Sequence, residues 1–272
     1  MEKETVHKKK YKQGKIETYG LIGFPLAHSF SAGFFSEKFQ REGITARYLN
    51  FEIEEIHCIH AILIQNPDLK GLNVTIPHKE NVIPFLDKMT PEAEKIGAVN
   101  TIRIERNPNE KHSQLLVGHN TDYVGFKESI TPLLDPAIHC RALVLGTGGA
   151  SKAVIHALED LGIEWKYVSR SGGINRFRYD DLTSKVISEY RIIVNASPVG
   201  TFPQDDQCPV IPYEDLTPNH LLYDLVYNPE VTLFLKKGRE RGATIKNGKE
   251  MLERQALAAW DFWKKSLSYI HI

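Results

Sequence analysis

Two periods of hydrophobic patterning alternate along this chain. Residues 19–24 form a short apolar run that predicts a buried strand. Over residues 31–41, Phe34, Phe35 and Phe39 recur at helical spacing, and Gly43 ends the run. Residues 47–53 alternate like a strand, 54–65 read as a helix and 71–76 as a strand. A helix is expected around 91–96, then strands near 99–104 and 115–117. A second run opens with a helix over 122–130, broken by Pro132 and Pro136. A strand at 141–145 runs straight into glycines, and a helix follows over 149–161. Strands are expected at 165–168, 192–195, 221–227 and 243–245. The last element is a long helix over 251–267, with Leu252, Leu257 and Trp260 as packing residues. Strands separated by helices imply βαβ units and largely parallel sheets. Two α/β domains joined near residues 119–122 fit this pattern better than one.

Composition narrows the function classes. At 272 residues and 42% apolar content the chain can bury a substantial core. The formal net charge is zero, so no global field points to nucleic acid or an anionic membrane. No run approaches the roughly 18–20 apolar residues of a spanning helix. Residues 1–17 read as a flexible basic tail carrying Lys3, Lys8, Lys9, Lys10, Lys12 and Lys15. No apolar run follows it, so it does not read as a secretory signal. Cys58, Cys140 and Cys208 are an odd, scattered set, which implies reduced thiols and a cytoplasmic protein. His57 and His60 lie one helical turn apart, but no third ligand stands at sensible spacing, so no metal is expected.

The clearest chemistry follows the strand at 141–145. Gly146, Thr147, Gly148, Gly149 and Ala150 sit between a predicted strand and a predicted helix, the context of a dinucleotide-binding turn. Gly146 permits the tight turn, Gly148 allows close approach of a pyrophosphate, and the helix offers unpaired N–H groups. The sixth position is Ser151 instead of Gly or Ala, so the same residues also fit a helix entry that merely needs small side chains. Lys152 follows Ser151, with no Ser or Thr behind it, which excludes a P-loop. The next strand ends in Ser169-Arg170-Ser171. An NAD site usually carries a carboxylate there for the ribose 2′-hydroxyl. A guanidinium between two hydroxyls suits a 2′-phosphate, and hence NADP.

Three polar clusters follow strands in the first half, where α/β ligands collect. Ser29 and Ser31 precede a helix, so one can cap it while the other stays free. Asn73-Val-Thr75-Ile-Pro-His78-Lys79 ends in a lysine that is either a surface residue or held near a ligand. His119-Asn120-Thr121-Asp122 ends in an acid that can also serve the next helix. His28 and His78 flank these clusters and read as residues that orient neighbours.

With these motifs in order, the chain resembles the shikimate dehydrogenase family from about residue 18 to about residue 263. The resemblance rests on the serine pair, Asn73-Val-Thr75 with Lys79, Gly97-Ala-Val-Asn100-Thr101, Asn120-Thr-Asp122 and the Gly146 turn. It also includes Tyr223-Asp-Leu-Val-Tyr227-Asn-Pro and Gly248 with Met251 and Gln255. It implies an N-terminal α/β substrate domain with a mainly parallel sheet, 18–121 plus 249–272, and a Rossmann-like NADP domain, 122–248. The last helix would fold back onto the first domain and bring Gln255 to the cleft. The implied activity is NADP-dependent, reversible reduction of 3-dehydroshikimate to shikimate, with Lys79 and Asp122 as the proton-transfer pair. Ser29 and Ser31 would hold the substrate carboxylate, and Asn73, Thr75, Asn100, Asp122, Tyr227 and Gln255 would complete the substrate site. Asn195, Ser197, Leu225, Gly248 and Met251 would border the nicotinamide side. The partner is then a small molecule, on a monomer or homodimer.

Three motifs depart from the family pattern: Ala32 replaces a proline, Ser169 and Ser171 replace Asn and Thr, and Pro198 alters the turn after Asn195. Quinate or dual-specificity dehydrogenation is the near alternative. A non-catalytic NADP-binding regulator is the distant one, and an intact Lys79 and Asp122 argue against it.

Overall fold

The computed structural model describes residues 16–26, 30–106 and 114–265. Ser29, His28 and the lysines of the tail lie outside the described residues. Residue 17, assigned to the tail from the sequence, is the first residue of β1 (Glu17–Gly23).

The first sheet also contains β2 (Ala46–Glu52), β3 (Leu69–Val74), β4 (Lys88–Met89), β5 (Thr101–Arg106) and β6 (Gln114–His119), in the order β2-β1-β3-β5-β6-β4. The pairs β1–β2, β1–β3 and β4–β6 are parallel. β5 runs antiparallel to both β3 and β6. Only residues 107–113 separate β5 from β6, too few for a crossover, so the pair must reverse. This reversal was not foreseen from the sequence, and it matters below.

The second sheet holds β7 (Arg141–Leu145), β8 (Glu164–Ser169), β9 (Arg176–Arg178), β10 (Ile192–Asn195), β11 (Leu221–Asp224) and β12 (Thr244–Lys246). All pairs are parallel, in the order β12-β11-β10-β7-β8-β9. This is the doubly wound Rossmann order, with its switch point between β7 and β10. The central strands are buried on both faces, as parallel strands covered by helices must be. Ala142, Val144, Ile192, Val194, Leu221 and Tyr223 share one core cluster. Leu143, Leu145, Ile193 and Leu222 share the cluster on the other face.

Around the first sheet lie α1 (Phe30–Arg41), α2 (Ile59–Gln65), α3 (His78–Asn81) and α4 (Pro91–Ile96). α5 (Asp122–Ile130), α6 (Gly149–Asp160), α7 (Ser184–Glu189) and α8 (Leu233–Glu240) follow, and α9 (Lys249–Lys264) ends the described chain. The helix expected over 54–65 is a short 3₁₀ turn, Ile56–Cys58, leading into α2. The strand expected to reach 227 ends at Asp224, where the chain turns away. No helix among the described residues is long and apolar enough to cross a membrane.

α9 joins both cores. Met251 lies in the cluster with Phe126 and Tyr223, while Ala256, Ala259, Trp260, Phe262 and Trp263 pack with Tyr19, Leu21, Phe35 and Phe39. The expected packing residue Leu257 is instead 44% exposed. The indoles set the buried face, and Leu257 turns away from it. Trp263 donates to Ile102 O at 3.0 Å, and its ring covers Gly71 so closely that a Cβ there would stand 2.4 Å away. Gly71→Ala should therefore cost about 1–3 kcal/mol, read as a lower urea midpoint with an unchanged m-value.

Candidate active site

The reversed β5 places its first residues beside the C-terminal ends of β3 and β6. Thr101 is opposite Asn73 on one side and opposite His119 on the other. From the end of β3 the chain runs through Thr75 into α3, which carries Lys79. From the end of β6 it runs through Asn120 and Thr121 into α5, which begins at Asp122. His78 anchors α3 by donating from Nε2 to Ile53 O at 2.7 Å.

Lys79 Nζ lies 2.6 Å from Asp122 Oδ2. The two side chains are only 15% and 9% exposed, so each charge depends on the other. Asn100 Nδ2 donates to the second carboxylate oxygen, Asp122 Oδ1, at 2.9 Å. Asn100 Oδ1 in turn accepts from the Thr121 backbone N at 2.7 Å, which fixes the amide's orientation. Asp122 also occupies the first turn of α5, where the helix dipole favours a negative charge.

These groups wall a cavity of about 240 Å³. Of the expected substrate residues within the described chain, Ser31, Asn73, Thr75, Asn100, Asp122, Tyr227 and Gln255 all line it, together with Lys79. Gln255 reaches it from α9 because α9 crosses α5 at Gly125. A Cβ on Gly125 would stand 2.4 Å from Met251 O and 3.1 Å from Gln255 Cβ. Sequence reasoning missed Phe30, which lines the cavity edge-on to Tyr227 with ring centroids 6.1 Å apart. It also missed Tyr48, whose hydroxyl donates to Asn73 Oδ1 at 2.8 Å and hydrogen-bonds Ser31. Burial raises the Tyr48 phenol pKa, so it remains a proton donor. The only advance signal for Tyr48 was its place on β2, beside β1.

A second cavity, of about 350 Å³, adjoins the first, and Thr75 and Lys79 line both. Gly146, Thr147, Gly148, Gly149, Ala150, Ala196 and Ser197 form its other wall. Gly146 has φ +105°, and a Cβ on it would stand 3.1 Å from Ala196 O, so glycine is required. α6 begins at this cavity with no side-chain cap on its first N–H groups. The unusual Ser151 is fully buried and donates to Gly148 O at 2.7 Å, which closes the turn from within. Together these features suit a dinucleotide pyrophosphate.

Seven expected cofactor residues line neither cavity. Ser169, Arg170 and Ser171 lie outside both cavities, at the end of β8, where Ser169 Oγ donates to Ser171 O at 2.7 Å. Arg170 is exposed there. Met251 is buried in the core and lines neither cavity. Asn195 is fully buried and acts on the turn from behind. Its Oδ1 accepts from Ser197 N at 3.1 Å and from Ser197 Oγ at 2.6 Å, while its Nδ2 donates to Asp224 at 2.9 Å. Gly248 packs on Leu225, whose carbonyl oxygen would lie 2.1 Å from a Cβ at 248.

Asp224 is also fully buried, and accepts from Val226 N and Thr232 Oγ1 as well. Burial pushes its carboxyl pKa up to about 6, despite the lowering effect of these donors. A raised folded-state pKa means the folded protein holds this proton more tightly than the unfolded chain. The resulting stability is complete below about pH 4 and is lost as pH rises through about 6. Relative to Asp224→Asn, the wild type should gain up to about 3 kcal/mol as pH falls from 7 to 4. Chemical denaturation of both proteins at each pH measures this, and a constant difference would refute it.

A family model described as the shikimate dehydrogenase substrate binding domain matches residues 21–102. A shikimate dehydrogenase (NADP(+)) of Clostridium beijerinckii is 41% identical, over 92% of this chain and 93% of that protein. The chain belongs to the shikimate dehydrogenase family. The crystal structure of the Aquifex aeolicus shikimate dehydrogenase superposes with a TM-score of 0.80 at 32% identity, covering 92% of each chain. The Thermus thermophilus family member, solved in complex with NADP(H) and shikimate, gives 0.77 at 29% identity, over 92% of this chain and 94% of that one.

Proposed function

We propose that this protein reduces 3-dehydroshikimate to shikimate, reversibly and with NADPH, using Lys79 and Asp122 as its catalytic pair. The observation that carries this reading is the ion pair itself, because Lys79 lines both adjoining cavities. Residues 18–121 with 249–272 form the substrate-binding and catalytic domain, and residues 122–248 form the cofactor domain. Ser29 and Ser31 hold the substrate carboxylate. Asn73, Thr75, Asn100, Asp122, Tyr227 and Gln255 orient the ring and its hydroxyls.

The cofactor, when bound, supplies the hydride. Gly146 to Ala150 take its pyrophosphate, Ser169, Arg170 and Ser171 its 2′-phosphate, and the Ser197 turn with Leu225 and Gly248 borders its nicotinamide. Lys79 Nζ gives its proton to the ketone oxygen as negative charge develops there. Asp122 holds the ammonium in place, and Asn100 holds Asp122. In the oxidation direction the pair accepts the hydroxyl proton. The partner is a small molecule, acted on in the cytoplasm by a monomer or homodimer.

NADP⁺ reduction with shikimate, run beside quinate, tests the reading. Absence of turnover with shikimate would overturn it. Lys79→Ala should lower kcat by about 10² to 10⁴ with a far smaller change in KM. Arg170→Ala should weaken NADPH selectively. Equal weakening of NADH in a parallel titration would argue against 2′-phosphate recognition at Arg170.

A further inference from the structure

The residue after Lys79 on α3 is Glu80, and it crosses to the other wall. Glu80 Oε2 lies 2.6 Å from Lys152 Nζ, on the first turn of α6. Glu80 Oε1 lies 3.9 Å from the position of a Cβ on Gly149, the first residue of that helix. Among the described residues, Glu80 is also the only acidic one lining the glycine-turn cavity. A carboxylate thus stands where the uncapped start of α6 and a lysine both favour negative charge.

We propose that Lys152 is a phosphate-binding residue of the cofactor site, and that Glu80 takes the phosphate's place until the dinucleotide arrives. This rests on the NADP reading above. A pyrophosphate at the glycine turn repels Glu80, and both must compete for Lys152. The exchange is easy, because the two side chains are 32% and 47% exposed, and ion pairs in water contribute little. Lys152 then makes a charge-assisted hydrogen bond to phosphate instead of to carboxylate. Glu80 adjoins Lys79 on a helix of four residues, so its release is felt next to the catalytic ammonium.

Two single substitutions separate this role from that of a simple structural bridge. A bridge makes Glu80→Gln and Lys152→Gln act in the same direction. Competition makes them act in opposite directions. In binary titrations of the full chain with NADPH, E80Q should tighten binding on the order of threefold, and K152Q should weaken it by at least as much. Inorganic pyrophosphate, as a competitor of NADPH, should follow the same order. The double variant should stay as weak as K152Q alone. If wild type turns over shikimate but both variants weaken NADPH, or neither changes it, the proposal fails. If wild type neither binds NADPH nor turns over shikimate, the reading beneath it fails as well.

Discussion

An ammonium and a carboxylate, both nearly sealed from water, have to meet. Lys79 and Asp122 satisfy that constraint at 2.6 Å, and much of the first sheet's arrangement serves it. Neither charge is tolerable alone at such burial, since an unpaired buried ion costs several kcal/mol. The pair therefore constrains where α3 ends and where α5 begins. Asn100 completes it by occupying the second carboxylate oxygen, and Thr121 prevents the Asn100 amide from turning over. Asn100 can do this only because β5 runs against its neighbours. A parallel β5 would carry its start to the opposite end of the neighbouring strands.

The two cavities divide the work through shared walls. One is lined mainly by hydrogen-bonding side chains from six separate parts of the chain, which suits a small polyhydroxylated acid. The other is built largely from backbone and small side chains, which suits phosphates. Thr75 and Lys79 belong to both, so what binds in one is in contact with groups that serve the other. Behind the second cavity, Asn195 and Asp224 stiffen the Ser197 turn without lining the cavity themselves. A polar residue in a site motif can thus support the wall from behind.

Much of this was legible in the sequence, and the gaps have physical causes. The strand leading into Gly146 was readable because a buried parallel strand followed by glycines has few other uses. Lys79 and Asp122 were readable as motifs after strand ends and Asn100 through the family resemblance, but their mutual distance was not, since it depends on which strands adjoin. Tyr48 and Glu80 were missed because an isolated tyrosine on a strand, or a glutamate on a helix, carries no local sign of its partner. Leu257 was misassigned because hydrophobicity alone cannot choose a helix face when indoles compete for the core. Ser151 looked like a defect in the fingerprint, and it proves to be a small donor satisfied inside the turn.

The return of α9 to the first sheet has a consequence for biogenesis. Tyr19 packs edge-on against Trp260 and at a tilt against Trp263, residues separated from it by the whole second sheet in the order of synthesis. Contacts of such long sequence separation form late, because loop closure must come before any packing gain. As the chain leaves the ribosome, β7 to β12 can assemble as a unit while the first sheet still shows a bare aromatic face. The half that is made first is therefore finished last, and α9 carries Gln255 to the substrate cavity in the same event that seals the core.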